Sequence, residues 1–184
     1  MKNQEREVEI MELLEIMRHR RSVRNFTGEE VTEVKLNAIL EAGLLAASGK
    51  ARYPWEFIVV RDKDTIKKMV ECRNGGSAAL MEADVAIVVV ADPEKTDVWT
   101  EDCSIAMTHM MLEADVVGLG SCWVQGRLRE ALDGRSTEEF LRELLGYPEN
   151  YKLAAILALG EPASYPGARK KEDLHMEKIH REKF

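Results

Sequence analysis

The chain is poor in cysteine and has no long apolar run. Cys72, Cys103 and Cys122 are its only cysteines. An odd number without CxxC spacing excludes a disulfide framework and a cysteine-rich metal site, and it fits a reducing cytoplasm. Nowhere do about 18 apolar residues follow one another, so no membrane-spanning helix is expected. The opening MKNQEREVEI is polar and acidic, unlike a signal or transit peptide, and the expected location is cytoplasmic. A basic excess is missing as well. The net charge of −7 argues against nucleic acid as a partner, because a nucleic-acid-binding domain carries a basic face or stripe.

Several catalytic signatures are absent. The histidines are His19, His109, His175 and His180, and no two stand four apart, the spacing that would put two metal ligands on one helix face. There is no GxSxG elbow for a serine nucleophile, and no GxGxxG follows the first expected strand. Asn74-Gly75-Gly76-Ser77 is a loop, but no P-loop lysine follows it. Glu101-Asp102 falls at a helix start, where carboxylates complement the dipole. Cys122 lies in an apolar stretch and reads as a small buried residue, not a nucleophile. His109, inside a helix, reads as an ordinary partly buried side chain.

What is present suits one domain spanning residues 1–184. At 184 residues and 45% hydrophobic content, the chain can bury a substantial core or form one subunit of a compact oligomer. Ile10, Leu13, Leu14 and Met17 recur at helical spacing, predicting a first helix that ends near the arginine cluster of Arg20, Arg21 and Arg24. Thr32 caps a second helix with Leu36, Ile39, Leu40, Gly43 and Leu44 on one stripe; Gly43 there implies a closely approaching neighbour. Trp55–Val60 reads as a strand, and Thr65 as the cap of a short helix through Cys72. Residues 84–91 (DVAIVVVA) read as a buried strand. Residues 100–117 form a long helix ended by Gly118, and a short strand lies between Gly118 and Gly126. Ser136-Thr137-Glu138-Glu139 is a capping box for a helix through Leu145. Leu153–Leu159 is the last strand. Strands alternating with helices give an α/β or α+β class, and the connection lengths leave parallel and antiparallel pairing open.

The chemistry concentrates in separated pieces. Residues 19–26 read HRRSVRNF, with Arg20, Arg21 and Arg24 around Ser22. Alone, this is a solvated basic patch closing a helix. Guanidinium forks and a hydroxyl at a helix end can also hold a phosphate. A polar loop from Ser48 to Tyr53 precedes Pro54-Trp55, a glycine-rich segment runs from Gly118 to Gly126, and Arg169-Lys170-Lys171 follows Gly160-Glu161-Pro162. Together these could clamp a planar, phosphorylated cofactor.

In this order and spacing, RRSVRNF, AASGKARYPWEFIVV, the helix from EDCSIA to GLGSCWVQG, and LGEP with its basic tail resemble the FMN-dependent nitroreductase family over residues 11–184. The resemblance implies an α+β fold: a central, mostly antiparallel sheet flanked by helices, in a tail-exchanging homodimer with FMN at the interface. It implies an oxidoreductase that takes hydride from NADH or NADPH and passes electrons to a small acceptor, a nitroaromatic or a quinone, with ping-pong kinetics; the cofactor carries the chemistry, and no side chain is assigned a catalytic role. By the same resemblance, Arg20, Arg21, Ser22 and Arg169 contact the phosphate and ribityl chain, with Lys171 nearby. Arg24 lies near the flavin N1–O2 edge, where a cation stabilises the reduced ring. Ser48 is kept from the family's loop. Ala51 and Tyr53 replace its usual Asn and Gln and so shape the substrate pocket. Gln125 and Gly126 match the turn approaching flavin N5. Related scaffolds also perform reductive dehalogenation or destroy flavin, and no long lid insertion points to either; a flavin-binding or redox-sensing protein without turnover is a further reading, for which Ala51 and Tyr53 leave room.

Overall fold

The structure, a computed structural model, describes residues 13–184. The first helix, α1, is seen over residues 13–19; Ile10 of its expected stripe lies outside the described residues. The helix stops where expected, with the Arg20 N–H donating to the Ile16 carbonyl at 2.8 Å. Three of its apolar residues stay exposed: Leu13, Leu14 and Met17 are 49, 44 and 46% exposed, while Ile16 is half-buried.

Four strands, β1 (Trp55–Val60), β2 (Val85–Ala91), β3 (Gly120–Gln125) and β4 (Lys152–Gly160), form one sheet in the order β1-β2-β4-β3. Every pairing is antiparallel, which settles the choice left open by the connection lengths and matches the α+β expectation. The inner strands β2 and β4 are buried on both faces, so they read as continuous apolar runs without polar alternation. Helices α2 (Glu33–Leu44) and α4 (Trp99–Val116) cover one face. The other is covered by α3 (Lys63–Met69), α5 (Thr137–Leu145) and the segment carrying Val23 and Phe26.

Alternation along β2 sends Ile87 and Val89 to the α2/α4 face and Ala86, Val88 and Val90 to the other. On β4 the register shifts opposite Val89 and Val90, and Ala154 and Ala155 both face α2 and α4. A bulge inserts one extra residue and resets which side chains face which layer. Met107 and Met110 of α4 are fully buried, each contributing about 1.5–3 kcal/mol. Gly43 lets α2 settle on them, since a Cβ there would lie 2.9 Å from Met110 Cγ and 3.0 Å from Phe57 Cε2.

The caps agree with expectation in two helices and differ in one. Thr32 caps α2 by accepting from the Lys35 N–H, and Ser136 with Glu139 forms the capping box of α5. For α3 the cap is Asp62, not Thr65. The Asp62 carboxylate accepts from both the backbone N–H (2.8 Å) and the hydroxyl (2.6 Å) of Thr65, so Thr65 sits at the third helical position. The helix gives way to a 3₁₀ turn at Val70–Cys72.

Candidate functional site

Two segments from opposite ends of the sequence lie side by side, one carrying Arg18, Arg20, Arg21 and Arg24 and the other ending in Arg169-Lys170-Lys171. The Thr27 N–H donates to the Glu161 carbonyl (2.9 Å), Ala163 to Asn25 (3.0 Å) and Arg169 to Arg18 (2.8 Å). The Arg21 guanidinium donates to the Gly167 carbonyl. Residues 18–27 and 161–169 therefore run antiparallel as a zipper, with Arg169 opposite Arg18, two residues before Arg20. The zipper is seated on β3, where Ser22 bridges Ser121 and the Val23 N–H donates to the Ser121 carbonyl at 2.9 Å. Gly120 and Gly160, partners in the β3–β4 register, form its floor. A Cβ on Gly120 would come within 2.7 Å of Val23 and one on Gly160 within 2.9 Å of Phe26.

Among the described residues, Arg20, Arg21, Arg24 and Arg169 enter no salt bridge. Nη1 of Arg20 is buried with no hydrogen-bond partner. An unmet buried donor costs free energy until an acceptor arrives, and a phosphate oxygen would satisfy it. Arg24 is exposed and, among the described residues, donates only to the Ser22 carbonyl, at 3.4 Å.

Gln125 and Gly126 stand at the other end of β3. Six strand residues span about 17 Å, which separates a phosphate-binding end from a ring-binding end along one strand. The Gln125 side chain is already engaged, accepting from Trp123 Nε1–H at 2.9 Å and donating to the Arg127 carbonyl at 3.0 Å. Gly126 is buried, and a Cβ there would lie 2.5 Å from Leu153 Cδ2. What this turn offers a ligand is therefore backbone. The Arg127 guanidinium lies over the Trp99 ring, 5.6 Å from its centroid.

The Ser48–Tyr53 loop sits at the same end of the sheet, because Trp55 of β1, Ala91 of β2, Lys152 of β4 and Gln125 of β3 share that end. It borders the opposite edge, three strand spacings or about 14 Å from β3. Lys50, Ala51 and Tyr53 all have positive φ, 53°, 52° and 45°. Such backbone is costly for residues with a Cβ and persists where its surroundings hold it. Two contacts hold it here: Ser48 Oγ accepts from the Tyr53 N–H at 2.9 Å, and Asp102 Oδ1 accepts from the Gly49 N–H at 2.8 Å. Tyr53 packs edge-on against Trp55 at 5.8 Å. A cavity of about 370 Å³ lies between the loop and residues 95–98. A larger one, about 530 Å³, lies against α3 and touches none of these residues.

Within this chain, then, Arg20, Arg21, Ser22 and Arg24 lie on one strand of the zipper, and Arg169 closes the other strand opposite Arg18. Gln125 and Gly126 lie along the same strand, and Ser48, Ala51 and Tyr53 stand apart at the far edge.

A family model described as the Nitroreductase family matches residues 17–74 and 71–161. An Archaeoglobus fulgidus chain with a provisional NADH dehydrogenase/NAD(P)H nitroreductase name is 37% identical, the match covering 94% of this chain and 99% of that one. The chain belongs to the nitroreductase family. An FMN-dependent nitroreductase from Clostridium difficile R20291 shares the fold of this nitroreductase-family chain with a TM-score of 0.90 at 41% identity, covering 93% and 99% of the two chains. A structure from Desulfovibrio desulfuricans, solved in complex with FMN, superposes with a TM-score of 0.74 at 27% identity, covering 94% and 97%.

Two features of this family member escaped the sequence reading. Asp102 lies in the first turn of α4 as expected, but it is also 2% exposed and anchors the Gly49 loop, with Oδ2 left unpartnered. The acidic pair at a helix start was the visible signal, but its target 53 residues away was not. Asp115 gathers His19 and Tyr165, and no local pattern announces that. The cysteines behave as expected. All three are buried, and burial pushes the thiols of Cys72 and Cys103 up to about 12.

Proposed function

We propose that the protein is an FMN-dependent oxidoreductase that transfers electrons from NADH or NADPH to a small acceptor, with the whole chain acting as one FMN-binding unit. The observation that carries this reading is the zippered cation cluster beside the start of β3: arginines that enter no salt bridge among the described residues, one of them, Arg20, with a buried unpaired nitrogen. Arg20, Arg21, Ser22 and Arg169 hold the phosphate end. Arg24 supplies positive charge toward the pyrimidine edge of the ring, and the backbone at Gln125-Gly126 meets the ring at the far end of the strand. The cofactor supplies two-electron transfer between a reduced nicotinamide and the acceptor; the protein binds, orients and shields.

The two substrates use one pocket in turn, giving ping-pong kinetics, and Ala51 and Tyr53 select the acceptor, a nitroaromatic or a quinone. About 14 Å of sheet separates their loop from Gln125-Gly126 in one chain, so the pocket is completed by a second copy in a homodimer. Three free, buried cysteines fit a reducing, cytoplasmic setting.

The test is an anaerobic titration of the purified, FMN-loaded protein. NADH or NADPH should bleach the flavin absorbance stoichiometrically, and a nitroaromatic or quinone should restore it. A protein that retains no FMN, or holds FMN that neither nicotinamide reduces, would overturn the reading.

A further inference from the structure

Asp115 is oddly placed for a helix. It lies in the last turn of α4, where the macrodipole disfavours a carboxylate, and its side chain is only 5% exposed. The helix itself does not explain a buried acid there; its partners do. The Tyr165 hydroxyl donates to Oδ1. Nδ1 of His19 lies 2.9 Å from Oδ2 and 3.0 Å from Oδ1. The two rings stack on each other with centroids 4.5 Å apart and planes 16° from parallel.

These partners sit on the two strands of the basic zipper, one on each. His19 immediately precedes Arg20, and Tyr165 lies between the zipper's backbone rungs at Ala163 and Arg169. The contact thus ties both cationic segments to the rigid end of α4. It does so without engaging a guanidinium: Arg20 Nη1 stays buried and unpartnered. Had Asp115 paired with Arg20, the arginine would have been neutralised at the point where an anion is to bind. The phenol is a dependable donor, since burial, reinforced by its bond to Asp115, raises Tyr165 to about 12 and keeps it protonated near neutrality.

We propose that Asp115, through His19 and Tyr165, is the positioning residue that sets the two basic segments at the spacing needed to grip one phosphate. Asp115 does not touch the ligand. It acts through its neighbours, and the proposal rests on the FMN reading above.

The experiment compares the affinities of the apoprotein for FMN and for riboflavin, which differ by the phosphate, in wild type, Asp115→Ala, Tyr165→Phe and Arg20→Ala. Positioning predicts that Asp115→Ala weakens FMN about tenfold or more, about 1.4 kcal/mol, and leaves riboflavin nearly unchanged. Tyr165→Phe keeps the ring stack, removes one donor, and should move the ratio in the same direction by less. It carries the test if Asp115→Ala does not fold. A fall in both affinities by one factor, or no change in either variant, would overturn the positioning role. An unchanged FMN-to-riboflavin ratio in Arg20→Ala would instead sink the phosphate reading. If Arg20→Ala collapses the ratio while Asp115→Ala and Tyr165→Phe do not, the site stands and Asp115 is only structural.

Discussion

At Arg20 the apoprotein carries a deficit, a buried guanidinium nitrogen with no hydrogen-bond partner among the described residues. Removing the arginine should cost the loaded protein a charge-assisted bond and cost the empty one little. Arg20→Ala is therefore expected to weaken FMN binding by about 1.5–3 kcal/mol, while the melting temperature of the apoprotein holds or rises. Fluorescence titration and apoprotein melting measure the two quantities, and equal FMN affinity in both proteins would remove Arg20 from the site. The cysteines carry a second expectation. Burial holds Cys72 and Cys103 as neutral thiols, up to about 12. It also raises Cys122, against the opposing pull of Arg24 and Arg20. Unfolded thiols ionise near 8.5, so between that value and about 12 the unfolded state has lost protons that the folded state keeps. This stabilisation is complete below the unfolded value and is lost as pH rises. At about pH 8 a thiol reagent should leave the native protein unmodified and titrate all three cysteines after denaturation. Rapid modification of a native thiol would contradict the burial.

At the scale of elements, local chemistry and long-range contact separate cleanly. The α5 capping box closes reciprocally, the Glu139 N–H to Ser136 Oγ at 3.1 Å and the Ser136 N–H to Glu139 Oε2 at 3.0 Å. Ser136→Ala should therefore lower stability by about 1 kcal/mol, a loss of about 2–4 °C in melting temperature for a protein of this size. An unchanged melting curve would show that the cap is redundant. This motif was readable because all its atoms lie within four residues. β1 was readable to the residue, and β2 nearly so, because β-branched apolar runs bounded by turn residues have few other destinies. The α3 cap was misplaced because Asp62 and Thr65 both suit the role, and only the realised bond distinguishes them. The β4 bulge has no signature in an all-apolar run, where a shift of one residue leaves the pattern unchanged. The candidate site divides in the same way. The arginine cluster is contiguous and was visible. Its pairing with Arg169 and its anchorage by Asp115 join residues 151 and 96 positions apart, and no spacing rule reaches that far.

At the scale of the molecule, apolar surface remains that one chain does not cover. Leu13, Ile16 and Met17 of α1, Leu45 just past α2, and Leu112 and Val116 of α4 line a groove of about 440 Å³. The tail beyond Lys171 carries Leu174, Met176, Ile179 and Phe184, all exposed, with Phe184 fully so. Patches of this kind on a soluble protein mark a surface that another molecule covers. In the proposed homodimer a second copy would supply both halves at once, since each chain has a groove to offer and a tail to lay down, and a two-fold arrangement would satisfy both equally. The interface of such a wrapped dimer belongs in the range of about 2,000–5,000 Å². If each flavin site is completed by both chains, as proposed above, loss of the partner and loss of flavin should be linked by mass action. Truncation after Lys171 tests this while leaving the zipper rungs at Ala163 and Arg169 in place. Sedimentation should show the truncated protein dissociating at concentrations where the full chain is a dimer, and its flavin absorbance should fall in step on dilution. A truncated protein that stays dimeric and fully yellow would show that the tail is dispensable. A monomeric full chain that still binds and reduces FMN would show that one copy completes the pocket alone.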